Sequence, residues 1–279
     1  MKRYRVLSFF DFDTRARILT LQIKDEWETK VKERHYENRK KVTEHLIAEF
    51  GEIDRDAKIE NFIALDAKPF SILAFHNRFF SQIRNAFVIG AYYPALTGAC
   101  ALGERILNYL LLILRDDYKG TPEYKRIYQK NSFVDWDIPI KTLESWEILL
   151  PDVVENFYRL KEMRNKAIHF RPETDRNDRD LALKAINYMK AIIGSQFSSF
   201  GAQPWFITAI PGELYIKSSW EKKPFISKIY LPNCVLVGFK HEILSIMPQV
   251  VINDKFEYSD LQITDDEFCK LRIEREKSG

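Results

Sequence analysis

An apolar stripe runs without a break along residues 94–115, in the segment PALTGACALGERILNYLLLILR. Apolar residues recur there every three or four positions, which predicts a long amphipathic helix. Such a helix is stable in water only when neighbouring elements cover its apolar face. Ala99 and Gly103 fall on that face, and their small size leaves room for a partner helix to approach closely. The segment therefore predicts a helical bundle built around residues 94–115.

The same periodicity predicts the other helices of this bundle. They extend over about 70–90, 151–169 and 179–199. The stretch 116–140 has little periodicity and is predicted to be a long connection, which in a compact domain is often functional.

Different patterns flank the bundle on both sides. Residues 4–10 are typical of a strand, residues 24–50 of a charged helix with one narrow apolar face, and residues 52–66 of a polar connection. After Gly201, short alternating runs separated by proline and glycine predict a small antiparallel sheet. We therefore expect a mainly α, α+β fold with a central four-helix bundle. Its three predicted segments are an N-terminal strand-plus-helix extension (1–68), the bundle (69–200) and a small β-rich C-terminal domain (201–279).

Composition excludes several classes of protein. Lys and Arg number 43 against 40 Asp and Glu, a net charge of +3, which argues against a strongly basic coat protein and against an acidic disordered chain. The three cysteines lie far apart without a CxxC pair, so neither a disulfide framework nor a zinc site is expected. The amino terminus is too charged for a signal peptide, and the most apolar run, residues 106–114, is far shorter than the roughly 20 residues of a membrane span. We expect a cytoplasmic protein without metal, cofactor or membrane contact.

The string RNKAIH, residues 164–169, is the main candidate for chemistry. Arg164 is a permanent cation that can hold a phosphate with two hydrogen bonds. His169 can transfer a proton near neutral pH, and Asn165, four residues earlier, shares its helical face. Five residues correspond to about 140° around a helix, so one helix cannot easily aim both Arg164 and His169 at one phosphate. Two such helices that meet at a dimer axis can form a composite site.

The arrangement around this string resembles a known family. The turn GAYYPAL leads into a helix that carries small residues and Glu104, and the R-N-x-x-x-H motif of Arg164, Asn165 and His169 closes a later helix. This pattern, over about residues 70–200, is similar to the HEPN superfamily of four-helix domains, whose nuclease signature is the R-N-x-x-x-H motif. The N-terminal extension and the C-terminal region match nothing in that pattern.

The resemblance implies metal-independent endoribonuclease activity at a site formed by a homodimer. It implies that the RNA 2′-hydroxyl attacks the phosphate and leaves a 2′,3′-cyclic phosphate. His169 would be the acid and base, Arg164 the phosphate clamp and Asn165 a substrate-orienting residue, while Glu104 would position Arg164 or His169. Many family members are toxins or antiviral effectors, so an antitoxin or an activating protein or ligand is an expected partner besides RNA.

Two other interpretations remain open at this stage. Arg164 can be tied to Glu104 for structural reasons, and His169 can serve only the helix dipole, as in a non-catalytic HEPN scaffold that binds a ligand or protein. Alternatively, the chain is an RNA-binding regulator, since its C-terminal region interleaves basic and aromatic residues. Asp135-Trp136-Asp137 is interpreted as a loop anchored by its tryptophan rather than as a paired-carboxylate metal site. The lysines predicted to contact RNA are Lys166, Lys217, Lys222, Lys223 and Lys228.

Overall fold

The structure is a computed structural model, and it describes residues 1–7, 11–168, 177–200, 203–246 and 249–278. These residues are mainly helical with a small antiparallel sheet region, which confirms the predicted mainly α, α+β fold. The chain divides into a larger unit, residues 10–197, and a smaller unit that combines residues 1–9 with residues 198–279. This division differs from the three predicted segments, because the amino-terminal strand pairs with strands from the far end of the chain.

In the part of the larger unit that the structure describes, the regular elements are helices. Its helices are α1 (Arg15–Thr20), α2 (Thr29–Phe50), α3 (Arg55–Ala64), α4 (Ala74–Val88), α5 (Tyr92–Leu114), α6 (Tyr124–Ile127), α7 (Asp137–Ser145), α8 (Pro151–Ile168) and α9 (Asp178–Ile192). A 3₁₀ turn, Arg115–Tyr118, continues α5, and a π turn, Ile193–Phe197, continues α9. The four predicted bundle helices are therefore present as α4, α5, α8 and α9.

Helix α5 lies at the centre of this bundle and packs against α4, α8 and α9. The apolar stripe seen in the sequence is the buried face. Gly103 is essential to this packing, because a Cβ atom at that position would lie 2.7 Å from Leu160 Cδ2 and 2.8 Å from Trp136 Cη2. The absence of a side chain at residue 103 thus sets how closely α8 and Trp136 approach α5.

Gly103→Ala is expected to destabilise the larger unit by about 1–3 kcal/mol, because an added methyl group overpacks a filled core. Gly194→Ala is the matched control, since a Cβ there would have nothing within 4 Å. Its free energy of unfolding should change by less than about 0.5 kcal/mol or rise slightly. Urea unfolding of the two variants measures both values, and equal stabilities would contradict the role given to Gly103.

Two predicted connections contain helices. Residues 52–66 include α3, and the stretch 116–140 includes α6 and the start of α7. Helix α3 buries only Asn61 and Phe62. A helix that buries so few side chains needs no regular apolar spacing, and its sequence therefore does not indicate a helix. Its position is fixed by tertiary contacts, because the Asn61 side-chain amide donates to the carbonyl oxygens of Phe87 and Val88 at the end of α4, 3.3 Å each.

Helix α5 also satisfies the length and composition of a membrane span. Within Tyr92–Tyr118 the most apolar 18-residue window has a mean hydropathy of 1.3, and half of that window is buried. This segment is longer than the apolar run of residues 106–114, which by itself is too short to span a membrane. A helix at the centre of a bundle must be apolar around most of its circumference, which accounts for this composition.

His76 is fully buried near the start of α4. Its Nδ1 atom lies 2.8 Å from Ser71 Oγ, and its Nε2 atom has no hydrogen-bond partner in the part of the chain that the structure describes. Burial lowers the pKa of His76 from 6.5 to about 3, because the surrounding apolar groups disfavour the imidazolium.

Since the folded-state pKa of His76 is lowered, the unfolded chain binds a proton there between pH 6.5 and about 3 that the folded protein does not. Stability should therefore fall as pH falls through this window, by up to about 1.4 kcal/mol for each pH unit from this residue. His76→Gln should flatten the dependence of the urea midpoint on pH between 7.5 and 5. His45→Gln, at an exposed position of α2, should leave the slope of the parent. Parallel curves for the parent and His76→Gln would rule out this contribution.

The smaller unit contains a four-stranded antiparallel sheet in the order β2-β3-β1-β4. The strands are β1 (Lys2–Val6), β2 (Phe206–Ile207), β3 (Tyr215–Ile216) and β4 (Cys234–Gly238); β5 (Glu242–Ser245) and β6 (Val251–Asn253) form a separate pair, and helix α10 spans Asp265–Ser278. In this sheet Tyr4 pairs with Leu236, and Arg5 pairs with Tyr215 on the other side. The predicted antiparallel sheet is therefore present, and β1 is one of its two inner strands.

One predicted strand of this region is helical. The run KIYL falls in a π turn, Ile226–Tyr230, followed by a 3₁₀ turn, Leu231–Asn233. Pro224 begins this helical segment, where a residue without an N–H group costs nothing. A run of four apolar residues does not distinguish a strand from a buried helical turn, which explains the error.

Candidate functional site

Arg164 of α8 and Glu104 of α5 form an ion pair, with Arg164 Nε 3.3 Å from Glu104 Oε2. The pair is partly open to solvent, because 21% of the Arg164 side chain and 34% of the Glu104 side chain are exposed. Among the described residues, the two terminal nitrogens of Arg164 have no hydrogen-bond partner. Glu104 thus orients the guanidinium group through Nε. The two terminal nitrogens remain available for hydrogen bonds, and two-point binding of a phosphate needs this arrangement.

Trp136 contacts both members of the Glu104–Arg164 pair. Its indole Nε1 donates a hydrogen bond of 3.0 Å to Glu104 Oε2, the same oxygen that Arg164 contacts. The Arg164 guanidinium carbon lies 5.9 Å from the centre of the Trp136 ring. Trp136 is only 1% exposed, so it anchors its loop as the sequence predicted. Its hydrogen bond to Glu104 was not predicted, because it joins residues 32 positions apart and no local pattern marks it.

Asn108 holds the loop that carries Trp136 against α5. Its Oδ1 atom accepts a hydrogen bond from the Phe133 N–H, 2.6 Å, and its Nδ2 atom donates to the Phe133 carbonyl oxygen, 3.1 Å. Nδ2 also donates to the Glu104 carbonyl oxygen, 2.9 Å. The predicted connection 116–140 is therefore fixed to α5 next to the Glu104–Arg164 pair, by a residue that the sequence analysis did not select.

An open cavity of about 520 Å³ lies over the pair, between α5, α8 and residues 131–132. Cys100 lies at its edge, and burial raises the pKa of this thiol to about 12, so at neutral pH it is protonated and is a poor nucleophile. The residues of the cavity that bear on its chemistry are Thr97, Cys100, Glu104, Arg105, Asn108 and Arg164. Arg105 also was not selected from the sequence.

The remaining predicted residues of the motif are placed only in part. Asn165 and Lys166 are exposed on α8, next to Arg164 in sequence. His169 lies outside the described residues, so the structure gives no geometry for the predicted acid and base. The structure thus brings together Glu104 and Arg164 and adds Trp136, Asn108 and Arg105.

The lysines predicted to bind RNA in the C-terminal region belong to the smaller unit. Lys217 follows β3 and donates to the Pro204 carbonyl oxygen, 2.7 Å, and Lys223 Nζ lies 4.7 Å from the centre of the Trp220 ring. Lys222, Lys223 and Lys228 are exposed on the turns after β3. The aromatic residues interleaved with these lysines, apart from the half-buried Trp220, belong to the core: Trp205, Tyr215 and Tyr230 are at most 1% exposed. They are not available for stacking on bases.

Within the described ranges, no group of three or more His, Cys, Asp or Glu side chains is arranged to hold a metal ion. The free cysteines are Cys100, Cys234 and Cys269. Comparisons of the chain with models of protein families, with curated proteins and with solved structures gave no match.

Trp136→Phe tests whether Trp136 orients the Glu104–Arg164 pair. We expect the Arg164 Nε–H signal in an NMR spectrum to shift and broaden, because Glu104 Oε2 loses the hydrogen bond from Trp136 that fixes it beside Arg164 Nε. Stability should fall by about 1 kcal/mol. The Arg164 signal is assigned by its disappearance in Arg164→Lys.

Trp146→Phe is the matched control for this experiment. Trp146 is also buried, and its Nε1 donates to Thr121 Oγ1, 3.1 Å, a contact made without Glu104 and Arg164. This variant should lose similar stability while leaving the Arg164 signal in place. Equal effects of both variants on that signal would mean that the bond from Trp136 does not orient the pair.

Proposed function

We propose that the chain is a metal-independent endoribonuclease of the HEPN type that acts as a homodimer in the cytoplasm. The observation that carries this proposal is the orientation of Arg164. Glu104, held by Trp136, pairs with Nε of the guanidinium group, and the terminal nitrogens, which have no hydrogen-bond partner among the described residues, lie beside an open cavity. A group with these properties neutralises the charge that develops on phosphorus during cleavage of a phosphodiester.

In this mechanism the RNA 2′-hydroxyl is the nucleophile. His169 accepts the 2′-hydroxyl proton while the 2′-oxygen attacks phosphorus, and the bond between phosphorus and the 5′-oxygen of the next nucleotide breaks. The leaving 5′-oxygen takes up a proton from the imidazolium that has formed at His169, which thus acts first as base and then as acid. The products are a 2′,3′-cyclic phosphate and a free 5′-hydroxyl. Arg164 holds the phosphate throughout, and Asn165 contacts the substrate from the same helix.

The homodimer follows from the spacing of the motif. Arg164 and His169 are separated by about 140° around an ideal helix, so a single copy does not direct both at one phosphate. Two copies of the motif across a two-fold axis can bring Arg164 of one copy and His169 of the other to the same phosphate. Activity of this kind is harmful when uncontrolled, which supports a role as a toxin or antiviral effector restrained by an antitoxin or started by an activating protein or ligand.

A second candidate function is a non-catalytic HEPN scaffold that binds a ligand or protein. It is favoured by the same ion pair, since Glu104 and Arg164 join α5 to α8 within one protomer. The two functions differ in what they require of the terminal nitrogens of Arg164, which the scaffold does not use.

The first experiment is an RNA cleavage assay of the purified full chain in EDTA, with total RNA and tRNA as substrates. We expect cleavage that leaves cyclic-phosphate ends. Arg164→Ala and His169→Ala should each reduce the rate at least about 100-fold, as for loss of an electrostatic stabiliser or a general acid or base.

The chain offers matched controls for both substitutions. Arg159 lies on the same helix as Arg164 and pairs with Glu155, and His45 is exposed on α2. Arg159→Ala and His45→Ala should retain the parent rate. Cleavage that survives Arg164→Ala and His169→Ala would refute this site. A stable dimer without cleavage in any RNA would favour the scaffold.

A further inference from the structure

Four side chains form an arginine–aromatic cluster on the surface of α4 and α5: Phe75, Arg78, Phe79 and Arg105. The Arg105 guanidinium carbon lies 5.4 Å from the Phe75 ring centre and 5.2 Å from the Phe79 ring centre. The Arg78 guanidinium carbon lies 4.8 Å from the Phe79 ring centre. Phe79 is therefore contacted by two cations that come from two different helices.

Both arginines of the cluster are exposed, and neither has a carboxylate within salt-bridge distance in the part of the chain that the structure describes. Contact with the rings holds each guanidinium group in place and reduces the entropy lost on binding. The N–H donors of a guanidinium lie in its plane, so a group that rests on a ring still presents them to a ligand. Two fixed and unpaired guanidinium groups are suited to negatively charged oxygens such as those of phosphate.

An apolar groove of about 440 Å³ adjoins the cluster between α4 and α5. Its walls include Phe79, Ile83, Pro94, Gly98 and Leu102, with Arg105 at its edge. Gly98 keeps the groove open, because a Cβ there would extend toward Ile83 and lie 3.0 Å from its Cγ1 atom. A groove with apolar walls and a charged rim fits a flat, weakly polar ring that is joined to an anion.

Arg105 connects this surface to the candidate active site. It lines both the apolar groove and the cavity over Glu104 and Arg164. A ligand with alternating rings and phosphates can therefore extend from the groove, past Arg105, to Arg164. Single-stranded RNA has this alternation, since its unstacked bases are accessible and its phosphates are evenly spaced.

We infer that the arginine–aromatic cluster and the adjoining groove bind a segment of single-stranded RNA and direct its backbone to Arg164. The inference rests on the proposed function and adds the path of the substrate to it. A second copy of the chain is a less suitable occupant, because a two-fold axis at the cluster would bring its unpaired arginines against those of the partner.

The test measures RNA binding separately from cleavage. In the His169→Ala background, fluorescence anisotropy follows binding of a 5′-fluorescein-labelled single-stranded RNA of about 12 nucleotides, a length within the site sizes of single-strand binding proteins. Arg78→Ala, Arg105→Ala and Phe79→Leu should each raise Kd about five- to tenfold, as expected for a lost phosphate contact or a lost stacking contact. Each arginine variant should also lower the slope of log Kd against log salt by about 0.7.

Arg55→Ala is the matched control, because Arg55 is exposed on α3 and pairs with Asp56 outside the cluster. Its Kd should stay within twofold of the parent. A duplex of the same sequence should bind more weakly than the single strand, since paired bases do not enter the groove.

Three outcomes overturn the inference, and a fourth supports it while refuting the nuclease. An unchanged Kd in Arg78→Ala and Arg105→Ala excludes the cluster from RNA binding, even if cleavage still depends on Arg164. A loss of dimer in analytical ultracentrifugation of Arg105→Ala, with Kd unchanged, identifies the cluster as a self-association surface. No binding of the RNA by the parent refutes both the inference and the proposed function. Binding that depends on the cluster, in a protein that does not cleave RNA, supports the inference and refutes only the nuclease.

Discussion

The geometry of the candidate site depends on the close contact of α5 with Trp136 and α8 at Gly103. Gly103 and Glu104 are adjacent, so the glycine faces the core where Trp136 and Leu160 pack, and the glutamate lies at the margin of the same contact. If α5 were held farther away by a side chain at residue 103, the Trp136 N–H would move out of reach of Glu104. The ion pair with Arg164 would then lose the contact that orients it. One missing side chain in the core thus controls the position of a charge at the surface.

The Glu104–Arg164 pair is more useful for orientation than for stability. Exposed ion pairs contribute at most about 1 kcal/mol, because water screens the charges and both side chains lose conformational freedom. Here the pair is partly exposed, and Trp136 donates a hydrogen bond to its carboxylate from a buried ring. A packed ring is a rigid donor, so it restricts Glu104 and, through it, Arg164. Such restriction of a cation beside an open cavity is what binding of a phosphate requires.

The sequence predicted those parts of the structure that local periodicity or a motif specifies. Helices α4, α5 and α8 followed from apolar spacing, and Glu104 and Arg164 were selected together from a motif resemblance. The bonds from Trp136 and Asn108 were not predictable, because each joins residues that only the folded loop brings together. Helix α3 was missed since it buries few side chains, and the KIYL run was wrongly predicted as a strand since Pro224 begins a helical turn there. Trp205, Tyr215 and Tyr230 alternate with lysines in sequence, yet their rings are in the core.

The burial of those rings changes which surface is the better candidate for RNA contact. Lysines on turns of the smaller unit provide charge, but each ammonium sits on a flexible chain that loses freedom when it binds. Arg78 and Arg105 already rest on Phe75 and Phe79, so less freedom remains to be lost, and the half-buried rings offer apolar area beside the charge. Charge alone attracts any polyanion, whereas charge fixed next to a groove that admits single bases selects an unpaired strand. Charge held by rings beside an apolar groove, which the proposed binding of single-stranded RNA requires, is thus found on the helical unit next to Arg164.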